Sequence, residues 1–526
     1  MTVCCKSRDR SGRKRVAGSF FLCWLLFLSS ASLAASSREA LQKAASLIEQ
    51  GQLEDAEKEA RLALADPSTR AVACAVLGTI RFQQKRLPES VHFLEQALRL
   101  EPHLLGAHLS LAEAYSLQGK SDLALKLYRR VLELDPSNPT ARLALARYEA
   151  EKGNYRQSLT VAKPTSGVLT QAPDGIYLLA SDYLKVGDRP AAASLAKDWM
   201  ALSAVSLEWS IKFGLLLAKA GVVTEAIDIL EHAKQGGGSY ELAFNLAGVY
   251  LLKNDLPRAL ENYDIALNQN PHSVPALKQA ASIAERQGEL ERSLSYWMRA
   301  KKIQPDDPEV LLGFGRVCLR MDLLEDAEPA LTKAANVRPT DPVYQYTLAS
   351  AKVGKKQFEG ARSILEKLVE KKPQDPQLEY ALGSVFYLEG LLAQAQTHLE
   401  KSVRLQPQQL ASYYYLALIA RDQGNEADAI EKLEQLLQQY PEHAPSCEAL
   451  GELLMSAHKY PEAEKNLEKA VRLNPKSVKS NYQLGLLLSR MGKKDEADKQ
   501  LELAKSLRVE DEKTSRLQLR LLDPDQ

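Results

Sequence analysis

The stretch LGAHLSLAEAYSLQGKSDLALKLYRRVLELDPSN, residues 105–138, contains the pattern that recurs along most of the chain. Its apolar residues before Gly119, including Leu109 and Tyr115, share one helical face, and those after Gly119 share another. Glycine fits the left-handed backbone that ends a helix, and Pro136 ends the second helix because its ring cannot continue the hydrogen-bond ladder. The stretch therefore predicts a helix, a tight turn, a second helix and a stop.

Prolines reveal that this unit repeats every 34 residues. The same step joins Pro271, Pro305, Pro339, Pro373, Pro407, Pro441 and Pro475, and a fixed period of this length is typical of stacked helical repeats. A frame that places these prolines at position 32 starts fourteen times between residues 37 and 478, with one 33-residue step at QGGGS, residues 235–239. Position 8 is Gly or Ala in all fourteen frames, and position 20 is Ala in eleven and Ser in three. Two positions held by small residues predict that two helix backbones approach closely there.

The charge distribution separates the first 34 residues from the rest. The formal net charge of the chain is +1, and a chain so close to neutral lacks the basic stripe of a nucleic-acid-binding protein. Residues 6–15 are basic, residues 20–28 are apolar, and Ser-Leu-Ala at 32–34 resembles a cleavage site. This order is typical of an export signal. We expect residues 1–34 to be a cleaved signal peptide or, alternatively, an uncleaved anchor, the only part that would contact a membrane. The expected location is exported: periplasmic or envelope-associated, in a bacterium.

Motifs for catalysis or cofactor binding were not found. The eight histidines do not form HExxH or a metal-ligand spacing with cysteine, and neither GxSxG nor GxxxxGK[ST] occurs. Cys74, Cys318 and Cys447 are widely spaced, as expected of small buried apolar residues. Mixed acidic and basic residues on the outer helical faces are typical of solvated surface. The sequence therefore predicts a protein that is not an enzyme and has no cofactor or metal.

The repeated positions resemble the tetratricopeptide repeat, which has small residues at 8 and 20, Gly at 15, Ala at 27 and Pro at 32. Residues 240–273 match through Leu246, Ala247, Tyr250, Ala259, Tyr263, Ala266 and Pro271, and the resemblance covers residues 37–511. It implies an all-α protein, an α-solenoid of about 14 helix-turn-helix hairpins in a right-handed superhelix, with first helices on the concave side.

The frames divide the chain into predicted segments. Residues 37–172 form an N-terminal block whose last repeat is degenerate, because Pro164 falls within its second helix. Residues 173–239 form an irregular pair, residues 240–511 a regular C-terminal block, and residues 512–526 a capping helix and tail. Two interpretations of 162–175 and 235–239 stand: drifted repeats with irregular loops, or flexible joints.

In this family, positions 2, 5, 9, 12 and 13 of the first helix point into the groove. Tyrosine and arginine are the residue types that most often anchor protein interfaces. The candidate partner-binding residues at these positions are Phe244, Lys278, Arg316, Arg320, Tyr346, Tyr380, Tyr387, Tyr414, Arg421 and Tyr482. Two interpretations of the tyrosines stand equally: a binding series that holds a peptide or helical segment of another protein, or residues that pack against the neighbouring hairpin.

The resemblance implies a scaffold that binds other proteins. Lys278 lacks the partner residues of the family's chaperone-tail clamp, since Ser282 and Gly313 occupy the positions where asparagine is needed. The alternatives are an assembly factor of a secretion, pilus or polysaccharide-export machine, and a glycan-binding or enzyme-accessory subunit.

Overall fold

The structure is a computed structural model that describes residues 35–203 and 205–521, with side chains described as far as Val509. The predicted export signal, residues 1–34, and the tail after Leu521 lie outside the described residues. The described part consists of helices joined by turns and contains no strand, which confirms the predicted all-α class. None of its helices has the length and apolar character that crossing a membrane requires.

The chain divides between Asp255 and Leu256 into two compact units, called unit 1 and unit 2 below. The helices of unit 1 are α1 Ala35–Glu49, α2 Leu53–Leu62, α3 Arg70–Gln83, α4 Leu87–Leu100, α5 Leu105–Leu117, α6 Ser121–Leu134, α7 Pro139–Glu151, α8 Tyr155–Ala162, α9 Ser166–Leu169, α10 Pro173–Val186, α11 Arg189–Met200, α12 Leu207–Lys219, α13 Val223–Gln235 and α14 Tyr240–Leu252. The helices of unit 2 are α15 Leu256–Gln269, α16 Val274–Gln287, α17 Leu290–Ile303, α18 Pro308–Arg320, α19 Leu324–Val337, α20 Pro342–Gly354, α21 Phe358–Lys371, α22 Pro376–Leu388, α23 Leu392–Leu405, α24 Leu410–Asp422, α25 Glu426–Gln439, α26 Ala444–Ser456, α27 Tyr460–Leu473, α28 Val478–Arg490 and α29 Lys494–Leu521.

Successive helices pair as the 34-residue frames predict. In unit 2, the first helix of each hairpin packs against its second helix, and that second helix packs against the first helix of the next hairpin. First helices also contact one another directly, as α16 with α18, α18 with α20, α22 with α24, and α26 with α28. The first helices of unit 2 therefore share one face, and the predicted solenoid of stacked hairpins is confirmed.

The turn inside each hairpin places one residue in the left-handed region at position 15 of all fourteen frames. Nine are glycines, from Gly51 to Gly492, and one is Asn254. The sequence pattern did not predict that the remaining four are Lys85, Asp322, Lys356 and His458, with φ between 57° and 62°. A residue with a side chain is strained in this conformation, so the hairpin geometry is maintained by packing even where glycine is missing.

Close packing within each hairpin explains the small residues at positions 8 and 20. A Cβ added to Gly78 at position 8 would lie 2.5 Å from Cγ of Leu94 at position 24. The other five glycines at position 8 also face a leucine at position 24. At position 20, Ser90 Oγ donates to the Gly78 carbonyl at 2.7 Å, and Ser293 Oγ donates to the Ala281 carbonyl at 2.8 Å. These contacts fix the distance between the two helices.

The predicted irregular segment does depart from the regular hairpin. The helix α8 ends at Ala162, and a 3₁₀ turn over Lys163–Thr165 that contains Pro164 leads into the short α9. The role of residues 162–175 and 235–239 as joints stays a prediction. The division between the units falls inside the frame 240–273, and α29 runs as one helix from Lys494 to Leu521, across the predicted boundary between residues 511 and 512.

Candidate functional site

The first helices of unit 2 present residues of positions 2, 5, 9, 12 and 13 on their shared face, called the first-helix face below. Nine of the ten predicted site residues belong to unit 2. The tenth, Phe244, lies in α14 of unit 1, where its ring stacks on Tyr240 with 5.7 Å between the ring centroids. The structure therefore does not bring Phe244 together with the others within one unit.

The predicted tyrosines of α22 and α24 gather around a residue that the sequence reasoning missed. The ring centroid of Tyr415 lies 6.1 Å from that of Tyr380, 5.3 Å from that of Tyr387 and 5.8 Å from that of Tyr414. These four half-buried residues are called the tyrosine cluster below. Tyr415 occupies position 6, outside the positions expected to point into the groove. The run of three tyrosines at 413–415 is the one signal in the sequence that could have indicated it.

Hydrogen bonds tie the tyrosine cluster to a charged pair on α24. The Tyr387 hydroxyl donates to Asp422 Oδ2 at 2.8 Å and accepts from Arg421 Nη2 at 3.3 Å. Arg421 Nε in turn donates to Asp422 Oδ1 at 2.8 Å. Burial raises the pKa of Tyr380 to about 12, and burial together with the Asp422 carboxylate raises the pKa of Tyr387 to about 12. The hydroxyls of Tyr380 and Tyr387 therefore remain protonated at neutral pH, and the Tyr387 proton is already donated to Asp422.

The other two predicted tyrosines lie outside the cluster. The Tyr346 hydroxyl on α20 accepts a hydrogen bond from Gln377 Nε2 on α22 at 3.1 Å. Tyr482 on α28 is 49% exposed, far more than the clustered tyrosines. The equal sequence spacing of Tyr346, Tyr380 and Tyr414 thus yields different environments.

Arg316 and Arg320 on α18 converge on a single carboxylate. Arg316 donates to Glu285 of α16 through Nε at 3.1 Å and through Nη2 at 2.5 Å. Arg320 Nη1 donates to a carboxylate oxygen of Glu285 at 3.3 Å and to its backbone carbonyl at 3.2 Å. The Glu285 side chain is only 10% exposed, whereas the two arginine side chains are 47% and 46% exposed. These three residues, the basic cluster, contain two cations for one anion.

Lys278 forms a separate, balanced pair. Its ammonium on α16 contacts the Glu309 carboxylate on α18. This pair joins the first helices of two successive hairpins, as the arginines of the basic cluster do. The sequence predicted Lys278 at this face by its position in the repeat, but it did not reveal the pairing with Glu309.

A third charged group, which the sequence reasoning missed, lies on α26 and α28. Lys479 Nζ is 2.8 Å from a carboxylate oxygen of Glu448 and 2.8 Å from one of Glu452. Both carboxylates are largely buried, and the lysine side chain is more than half exposed. These three residues, the acidic cluster, contain two anions for one cation. Glu448 occupies position 5, where neighbouring frames have tyrosine, and that interruption was the available signal.

The described cysteines lie in the interior of the protein rather than on its surface. Cys74, Cys318 and Cys447 are buried, and burial raises the pKa of the Cys318 thiol to about 12. Within residues 35–203 and 205–521, His, Cys, Asp and Glu do not form a group of three that could hold a metal ion.

Comparisons with known proteins agree with the fold. Family models described as tetratricopeptide repeat match residues 105–148, 244–308, 346–409, 389–444 and 466–499. The chain is 21% identical over 290 residues to the protein CTR9 homolog of Arabidopsis thaliana, covering 52% of this chain and 26% of the relative. It is 23% identical over 224 residues to tetratricopeptide repeat protein 8 of Caenorhabditis elegans, covering 42% of this chain and 43% of the relative. The chain thus spans less than half the length of these curated relatives.

Among solved structures, a tetratricopeptide repeat protein from Parabacteroides merdae is 20% identical, with a TM-score of 0.39, and the match covers 47% of this chain and 98% of that chain. The matched family segments fall in both units, and the hairpins between them follow the same frame, turn and packing. Both units therefore contain segments that match the tetratricopeptide repeat.

Proposed function

We propose that the protein is a non-catalytic scaffold and that the first-helix face of unit 2 binds a segment of a partner polypeptide. The observation that supports this most strongly is the tyrosine cluster, because its four half-buried rings offer a broad surface that is apolar on the ring faces and polar at the hydroxyls. Tyrosine provides large contact area with few rotatable bonds, which is why it anchors many interfaces. Val343 on α20 and Leu388 on α22 add exposed apolar surface at positions 2 and 13 of the same face.

The positions of the tryptophans favour a polypeptide over a glycan. Trp199 and Trp297 are 2% and 5% exposed and pack inside the repeats, and the ring of Trp209 lies against Tyr177 in unit 1. The first-helix face of unit 2 is instead lined by tyrosine, arginine and carboxylates.

The proposed location is an exported compartment, periplasmic or at the envelope, supported by the basic, apolar and small-residue order of residues 1–34. An assembly factor of an envelope machine is one form that such a scaffold would take. Amino-terminal sequencing of the protein from fractionated cells tests the location. A first residue near Ala35 in the exported fraction indicates cleavage, Met1 or Thr2 in the membrane fraction indicates an anchor, and a cytoplasmic protein that begins at Met1 contradicts export.

Replacing Tyr380 and Tyr414 together by alanine tests the binding face. We expect partner capture from the exported fraction to fall at least tenfold while the helical circular dichroism signal stays nearly unchanged. The matched control is Tyr155→Ala with Tyr183→Ala, two half-buried tyrosines of unit 1, which should leave capture intact. Unchanged capture in the Tyr380/Tyr414 variant contradicts the proposal, as does a large loss of thermal stability, which would identify these tyrosines as packing residues.

A further inference from the structure

The first-helix face of unit 2 has opposite charge imbalances at its two ends. In the basic cluster, Arg316 and Arg320 share the single carboxylate of Glu285. In the acidic cluster, Glu448 and Glu452 share the single ammonium of Lys479. Counting only the three charged side chains of each cluster, the basic cluster has a net charge of +1 and the acidic cluster a net charge of −1.

The other charged residues of the face that are described above are paired one to one. Lys278 pairs with Glu309 on the same two helices as the basic cluster, and Arg421 pairs with Asp422 next to Tyr387, between the clusters. Between the clusters, the face presents Val343 and Tyr346 on α20, Leu388 on α22 and the tyrosine cluster, together with the polar Gln377 on α22. The order along the face is therefore basic, apolar and aromatic, then acidic.

The excess charge of the basic cluster is accessible, and its arginines retain hydrogen-bonding capacity. A guanidinium has five N–H donors, and Glu285 accepts from Nε and Nη2 of Arg316 and from Nη1 of Arg320. Each arginine thus retains donors while nearly half of its side chain is exposed. The acidic cluster lies on α26 and α28, the two first helices that follow α24 of the tyrosine cluster.

We infer that this face, if it binds a polypeptide as proposed above, takes an extended segment with a carboxylate at the end over α18 and a cationic side chain at the end over α26. The two helices are four hairpins apart, and packed helices lie about 8–10 Å from each other, so the distance is roughly 32–40 Å. An extended chain advances about 3.3 Å per residue, which gives a segment of about 10–12 residues with an apolar middle. Opposite charges at the two ends fix the direction of the bound segment, because the reversed segment places like charges together.

Two single substitutions remove the two excess charges without breaking the remaining ion pairs. Arg320→Gln leaves Arg316 with Glu285, and Glu452→Gln leaves Lys479 with Glu448. The matched controls make the same changes on second helices away from the face: Arg404→Gln on α23 and Glu502→Gln on α29, both strongly exposed.

The test selects binders from a displayed library of random 12-residue peptides on the full-length wild-type chain and on each variant. We expect enriched peptides to have Asp or Glu near one end, Lys or Arg near the other and apolar residues between. The acidic preference should disappear with Arg320→Gln and the basic preference with Glu452→Gln, while the two controls keep both. For one synthesised peptide, each face variant should weaken binding by about two- to fivefold, as the loss of a partly exposed charge pair does. Replacing the matching peptide charge by its neutral amide should abolish that difference.

The outcomes separate this inference from the proposed function. Enriched peptides without end charges, or end charges that survive in both face variants, overturn the inference and leave the binding face intact. Enrichment that persists in the Tyr380→Ala/Tyr414→Ala variant, or no enrichment at all, overturns both. Light scattering of the wild-type chain and the variants tests a second copy as the occupant: an oligomer that dissociates in Arg320→Gln or Glu452→Gln identifies the partner as this chain and overturns the inference of a separate peptide.

Discussion

Replacing Lys356 by glycine should stabilise unit 2, because Lys356 occupies the left-handed turn between α20 and α21 with φ of 59°. A left-handed conformation costs an L-residue roughly 1–2 kcal/mol, and glycine loses about 0.5–1 kcal/mol of additional conformational freedom on folding. The difference leaves a net gain of about 0.5–1 kcal/mol in the free energy of unfolding. The Lys356 side chain is exposed, so little packing is lost.

The reverse change provides the matched variant. Gly390 occupies the same position in the next hairpin with φ of 77°, and a Cβ added there meets no atom within 4 Å. Gly390→Ala therefore introduces backbone strain without a steric clash, and we expect it to destabilise unit 2 by a similar amount. One change removes a side chain from the left-handed turn residue and the other adds one at the same position of the next hairpin. The two changes in the free energy of unfolding should therefore be opposite in sign.

The assay must resolve the two units, since a chain with more than one compact unit does not unfold in a single two-state transition. Hydrogen exchange read by mass spectrometry reports the opening free energy of each segment. Peptides from α20 and α21 should exchange about two- to fivefold more slowly in Lys356→Gly, while peptides from α3 and α4 in unit 1 remain unchanged. Lys85→Gly, with φ of 62° at the same position in unit 1, should give the complementary result. Faster exchange around α20 in Lys356→Gly, or no effect of Gly390→Ala, would refute the argument from left-handed strain.

Three further changes test packing, burial and hydrogen bonding. Gly313→Ala places a Cβ 2.2 Å from Cζ2 of the rigid Trp297 indole, so we expect the free energy of unfolding measured in urea to fall by about 1–3 kcal/mol. An unchanged free energy of unfolding contradicts this close contact. Burial raises the pKa of Asp182, which means that its carboxylate destabilises the folded state increasingly as pH rises above the unfolded value of about 3.9. Asp182→Asn should therefore raise the melting temperature at pH 7, and the difference between variant and wild type should shrink towards pH 4. A lower melting temperature of the variant at pH 7 would contradict this account of Asp182. Tyr115 donates to Glu95 at 2.5 Å between successive hairpins, so Tyr115→Phe should cost about 0.5–1.5 kcal/mol by the same denaturation, and no measurable loss would show that this bond does not stabilise the stack.

The hairpins and their stacking could be predicted from the sequence because small residues and prolines recur at fixed positions. Position 15 shows how far the sequence pattern can predict the turn. Glycine there predicted the turn, yet Lys85 and Lys356 adopt the same conformation. The strain of roughly 1–2 kcal/mol is small compared with the packing of two helices, so that packing determines the turn and a sequence rule based on glycine misses these positions.

The candidate site was predictable by position but not by pairing. The pattern placed Arg316 and Arg320 on the first-helix face, and the structure adds that Glu285 of the preceding hairpin holds both. It likewise did not reveal that Tyr415 joins Tyr380 and Tyr387. A 34-residue period specifies where each residue lies within a hairpin. Which side chains contact each other between hairpins depends on how two neighbouring hairpins pack. That packing is determined by residues of two different frames, which a pattern within one frame does not show.

The pairing between hairpins also bears on how such a face would recognise a partner. An isolated surface arginine loses about 0.5–1.5 kcal/mol of side-chain freedom when a ligand immobilises it. Arg316 is already held by two hydrogen bonds to a largely buried carboxylate, so much of that loss has occurred before binding. The distance between the basic and acidic clusters is set by the packing of each second helix against the first helix of the next hairpin, from α19 and α20 to α25 and α26. A rigid spacing with a charge of each sign at its ends discriminates segments by length and direction, which a face of mobile charges cannot do.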